Sequence, residues 1–78
     1  MTGREKDRAF LLEEIAEARL KLATMDFEDA ASEAAPYVIR GEMIPEDLRF
    51  RVQDTLQKLD LAKEEQQIAE KAWREAMG

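Results

Sequence analysis

The first third of the chain repeats apolar residues at Leu11, Ile15, Ala18, Leu22 and Met25. Alternating spacings of four and three place them along one side of an α-helix as a heptad seam. Phe10, Leu12 and Ala16 widen the stripe to the width a bundle helix presents to a core. Thr2-Gly3-Arg4-Glu5 has the form of a capping box, so the helix is expected to start at residue 3. The pattern predicts a first helix over about residues 3–25.

The seam falters at Asp26, where its continuation would bury Asp29 and Ser32. Two readings follow. Asp26 caps a new helix that begins at Phe27, with Glu28 and Asp29 at its positive end, or the first helix runs on with its stripe rotated to Ala23, Phe27, Ala30 and Ala34. No Gly or Pro stands between residues 4 and 35 to decide. Pro36 removes a backbone donor and disfavours helical geometry at Ala35, which predicts a kink or break there. Tyr37-Val38-Ile39 favours strand locally, yet a lone strand has nothing to pair with. Residues 27–40 are therefore expected to form a short helix or a packed connector.

Arg40-Gly41-Glu42-Met43-Ile44-Pro45-Glu46-Asp47 is the clearest punctuation in the chain. Gly41 suits a left-handed helix stop, Pro45 the first position of the next helix, and two acids complement its positive end. Met43 and Leu48 have the spacing of a hydrophobic staple. From residue 45 to about 77 nothing interrupts a helix, whose seam reads Leu48, Val52, Leu56, Leu59, Ala62, Gln66, Ala69, Trp73 and Ala76. Asp47 to Arg51, Asp54 to Lys58 and Glu70 to Arg74 place an acid four residues before a base, the orientation that supports an exposed helix face. Gln66 and Gln67 lie beside the seam, where one buried amide sets register at a cost in stability.

These elements predict an all-α fold without β-sheet: an antiparallel helical hairpin with a short middle helix, or a three-helix bundle if that middle helix is independent. The 78 residues form a single helical domain at this length. Expected interior residues are Leu11, Ile15, Leu22, Leu48, Val52, Leu56 and Leu59.

Composition makes that interior thin. Of the 45% hydrophobic residues, 12 are Ala, leaving 23 large apolar side chains. A chain this short buries only about 60% of its unfolded surface and without Cys has no disulfide to add, so stability from a partner, including self-association into a homo-oligomer, is expected. No apolar run approaches the ~20 residues of a membrane span. The N-terminus resembles neither a signal nor a transit sequence, which leaves a cytoplasmic location as the expectation.

Charge is uneven. Residues 26–47 hold seven acids against Arg40, while the remaining acids and bases balance, so the net charge of −6 falls in the middle of the chain. Such a segment repels phosphates and attracts a basic protein surface, which speaks against direct nucleic-acid binding. The same acids also do the ordinary work of solvating a turn and complementing helix starts.

Side-chain chemistry is nearly missing. There is no His, no Cys and no Asn, Ser32 is the only Ser, and the glycines are too few for a phosphate-cradling loop. Glu13, Glu14 and Glu17, or Glu64, Glu65 and Glu70, lack the His that helical di-iron sites require. No catalytic residue, metal or cofactor is expected. The reading is a non-enzymatic protein-interaction module, such as an adaptor, regulator or small subunit, that works through an apolar helical seam, with Phe27, Tyr37, Ile68 and Trp73 as candidate contact residues. One alternative is a small acidic inhibitor that places Asp29 and Glu33 on the basic nucleic-acid-binding surface of a larger protein. Another is an assembly chaperone or scaffold subunit.

Overall fold

The computed structural model describes residues 3–78 and shows two α-helices, α1 (Gly3–Ile39) and α2 (Glu46–Met77), folded back on each other as an antiparallel hairpin. The expected middle helix does not form. α1 continues through Asp26, whose side chain is exposed and caps nothing, because the apolar stripe merely rotates there and no helix breaker intervenes. Pro36 lies inside α1. It sits in the final turn, where the helix ends three residues later, so the lost donor does not divide the element. The three-helix alternative is thereby excluded, and the capping box at Thr2 lies outside the described residues.

Gly41 ends α1 as its sequence position suggested. It takes a φ of 70°; its N–H donates to the Val38 carbonyl at 3.1 Å, and that of Glu42 donates to Tyr37 at 2.8 Å. These two bonds form a Schellman motif. A Cβ at Gly41 would meet no other atom within 4 Å, so Gly41→Ala should cost only the left-handed backbone penalty, about 1–2 kcal/mol, measurable by urea unfolding. Pro45 stands at the N-cap rather than inside the first turn. Its carbonyl accepts from Arg49 N–H at 2.9 Å, and Glu46 and Asp47 occupy the first turn as expected. Met43 is 83% exposed and staples nothing, whereas Ile44, one residue before the cap, is half-buried.

The inner seam of α1 differs from the one its large residues suggest. The buried positions are Ala9, Ala16, Ala30 and Ala34, with Leu20, Ala23, Phe27 and Tyr37 half-buried. From Ala16 onward they recur at alternating spacings of four and three, and Ala9 lies one heptad earlier, a stripe that runs most of the length of α1. Leu11, Ile15, Leu22 and Met25 lie on the other side, each roughly half exposed or more. On α2 the expected seam holds at Leu59, Ala62 and Ala69, which are buried, and at Leu48, Val52, Gln66, Trp73 and Ala76, which are half-buried. Leu56 is exposed, and Thr55 takes its place inside. The Thr55 hydroxyl is satisfied by the carbonyls of Arg51 at 2.8 Å and Val52 at 3.0 Å.

Two ion pairs fix the register. Arg19 meets Glu65 at 3.2 Å and Arg51 meets Glu33 at 2.8 Å, so residues whose numbers add up to about 84 lie opposite each other. That register faces Ala16 to Ala69, Ala23 to Ala62 and Ala30 to Thr55, a ladder of small residues that lets the helices approach closely. Phe27 and Leu59 fall opposite each other in the same register. The reason is geometric. Two helices share only one line of contact, so a large side chain on that line separates them without gaining the further walls that would enclose it. Small residues on the line keep the backbones in dispersion contact instead.

The cost is a molecule with little interior. Among the described residues no large side chain is fully buried. The Cα radius of gyration is 17.4 Å and the extents are 57 × 17 × 13 Å, against about 11–12 Å for the radius of a compact domain of this length. The protein is a rod one helix thick.

Candidate interaction surface

The two ion pairs also define a flank of the rod. Arg19 and Glu33 are separated by two heptads, as are Glu65 and Arg51, so both pairs emerge along the same side of the inner seam. Beside the Arg19–Glu65 pair this flank is apolar. Leu12 and Ile15 of α1 face Ile68 and Ala72 of α2 across an open groove floored by Ala16 and Ala69. Leu12 and Ile15 are each 48% exposed and Ile68 is 70% exposed. Beyond the ion pair, Leu61 and the Ala23–Ala62 rung line a second shallow groove together with Arg19, Lys58 and Glu65, and Leu22, one heptad along from Ile15, is 62% exposed. Arg4 and Arg8 border the flank near the N-terminus, around Leu11 and Leu12.

Toward the turn the same flank becomes polar. Asp26, Asp29, Arg51 and Thr55 line a small recess. The Arg51 guanidinium is held above its ordinary value chiefly by its hydrogen bond to Glu33, and further by the charges of Glu33 and Asp29. Arg51 thus reaches across the hairpin instead of back to Asp47, whereas the Asp54–Lys58 pair forms as its spacing suggested, at 3.0 Å. This crossing changes the charge reading. Antiparallel pairing lays Arg49 and Arg51 against the segment that looked nearly devoid of bases, so Asp29 and Glu33 share their surroundings with a cation.

The six candidate contact residues separate accordingly. Ile68 lies on the apolar flank and Asp29 and Glu33 on its acidic continuation. Phe27 is half-buried in the inner seam, facing α2. Tyr37 is half-buried near the end of α1, with the Arg40 guanidinium 5.4 Å from its ring centre, in the range of a cation–π contact. Trp73 is half-buried against Phe10, the ring centres 5.7 Å apart and the planes tilted by 58°. The structure therefore does not bring the six together. Leu12, Ile15, Leu22 and Leu61 belong to the exposed flank and were not among them. The signal for them was the alanine heptad at residues 9, 16, 23 and 30, with Ala34 four residues further, which claims the inside of α1 and leaves Leu11, Leu12, Ile15 and Leu22 out.

Among the described residues, no three acidic side chains converge on a position that could hold a metal ion, and no helix is long and apolar enough to cross a membrane. Compared with known proteins, the chain matches no family, no curated protein and no solved structure.

Proposed function

We propose that the chain is a non-enzymatic protein-interaction module that acts by bundle completion, offering the flank of Leu12, Ile15, Leu22, Leu61 and Ile68 to the helices of another chain. One observation supports this above the others: alanines make up most of the buried set of the hairpin, while Leu12, Ile15, Leu22, Leu61 and Ile68 stand largely in water. Full burial of such a side chain is worth about 1.5–3 kcal/mol, and each of these five is 48–70% exposed. Exposed apolar side chains grouped on one flank, here on either side of the Arg19–Glu65 pair, are a usual mark of an association surface. Helical bundles gain their interior by covering such stripes with further helices.

The test separates association from folding. Leu12→Lys combined with Ile68→Lys removes the apolar character of the groove without touching the alanine ladder. In dilute solution the double variant should show the helicity of the wild type and melt with it, a difference within about 0.5 kcal/mol, as for exposed positions. The wild type should bind an apolar dye such as anilinonaphthalene sulfonate at this flank, and the variant should not. A variant that loses its helicity at the same dilution would place the flank inside the chain's own fold and overturn the proposal.

A further inference from the structure

We infer that the occupant of the apolar flank is a second copy of this chain, packed antiparallel about a twofold axis level with Ile15 and Ile68, so that two hairpins form a four-helix bundle along their terminal halves. The inference rests on the association reading above and names its partner.

Surface area is the first argument. The chain exposes 6225 Å², about 1,400 Å² more than the ~4,850 Å² expected of a compact monomer of this mass. A standard interface covers about 800 Å² per partner, so one pairing accounts for a large share of the excess. That pairing draws on the terminal half of a hairpin 57 Å long and 17 Å across between Cα positions.

The second argument is the placement of apolar and charged residues. Leu12, Ile15 and Ile68 occupy the terminal half of the flank, with Leu22 and Leu61 at its border, and acids take over beyond Asp26. Net charge divides the same way. Residues 3–22 and 62–78 hold nine acids and eight bases, whereas residues 23–61 hold nine acids and four bases. A second copy laid parallel would press the two acid-rich halves together. The antiparallel copy overlaps only the nearly neutral halves and sends the acid-rich ends to opposite poles, an arrangement favoured by electrostatic complementarity.

The axis position adds a third argument. With Ile15 opposite Ile15 of the second copy, Leu22 of one copy comes level with Arg8 of the other, and Asp26 with Arg4. The groove lined by Arg4, Asp7, Arg8, Leu11, Leu12 and Ile15 then receives Asp26 beside its two arginines, which outnumber its own acid. Such an interface is isologous and closes on itself, as expected of a twofold dimer.

The full chain has no Cys, so a single introduced thiol reports proximity to its own copy. Light scattering after size exclusion should give about 18 kDa for the wild type, two chains of 9.0 kDa. Small-angle scattering should give a longest dimension of about 80 Å, since an overlap of some 24 helical residues at 1.5 Å each leaves both acid-rich ends projecting. Ile68→Cys and, independently, Ile15→Cys should cross-link to dimers under mild oxidation, and Phe50→Cys, near the turn, should not. A mass of one chain at every concentration, cross-linking through Phe50→Cys but neither Ile variant, or a dimer only as long as one hairpin would overturn the inference. If the mass is that of one chain while the Leu12→Lys, Ile68→Lys variant keeps wild-type helicity, the flank remains an association surface and only the second copy is wrong. If that variant unfolds, the association reading itself fails.

Discussion

Replacing Ala30 with Leu is expected to force the helices apart near the middle of the rod and lower stability by about 1–3 kcal/mol. Ala30 is fully buried, with 0% exposure, and the ion-pair register sets it opposite Thr55, itself buried and tied by its hydroxyl to the α2 backbone. Three added heavy atoms there must displace side chains across the contact line. Separation of the helices there also strains the exposed Glu33–Arg51 pair, which lies close by in the same register. Leu also has good helix propensity, so loss of stability would not come from the helix itself. Ala18→Leu supplies the control: Ala18 is exposed on the other side of α1, and the same change there should move stability by about 0.5 kcal/mol or less. Thermal and urea unfolding followed by circular dichroism measures both. Equal effects at the two positions would show that the alanine stripe is not the contact line.

That contrast also explains which parts of the fold were legible in the sequence. α2 was readable because its large residues at Leu48, Val52 and Leu59 fall on the same heptad as Ala62 and Ala69, so size and period agree. In α1 they disagree. Leu11, Ile15, Leu22 and Met25 form one stripe and Ala9, Ala16, Ala23 and Ala30 another, and the habit of assigning large apolar residues to the inside selects the first. That habit assumes an interior with walls on several sides. A two-helix layer has a single contact line, where close approach of backbones outweighs the area of any one side chain. The turn at Gly41 was readable for the opposite reason: a positive φ is a local demand that few residues other than Gly meet. Asp26 misled because a cap residue is also an ordinary solvent-facing residue, and only the absence of a break after it distinguishes the two.

The proposed association surface was only partly legible. Ile68 was a candidate contact residue and lies on the apolar flank, 70% exposed. Its neighbours on α1 were hidden by their assignment to the interior, so the groove could not be assembled from sequence. Trp73 was open to two readings. As the only Trp it was a candidate contact residue, but an antiparallel hairpin also sets it near Phe10 and Leu11, and its ring does lie 5.7 Å from that of Phe10. Charge counted along the chain likewise overstated the acidity of the turn end, because pairing in space adds Arg49 and Arg51, which a window over residues 26–47 leaves out.

The inside-out assignment has its sharpest consequence at Leu59. It is the only large apolar side chain in the buried set among the described residues, at 7% exposure, and it lies opposite Phe27 in the register of the ion pairs. Leu59→Ala should cost about 2–3 kcal/mol, the lower part of the range for buried Leu to Ala, because a seam open on two sides relaxes more readily than an enclosed core. Leu22→Ala removes the same atoms from a residue 62% exposed and should cost about 0.5 kcal/mol or less in the single chain. Both substitutions belong in the Ile68→Lys background, which removes the proposed pairing between copies from the melting transition. There the difference between them reads which stripe of leucines the hairpin encloses. A larger loss at Leu22 than at Leu59 would mean that α1 turns its large residues toward α2, and the exposed flank, with the pairing built on it, would no longer exist.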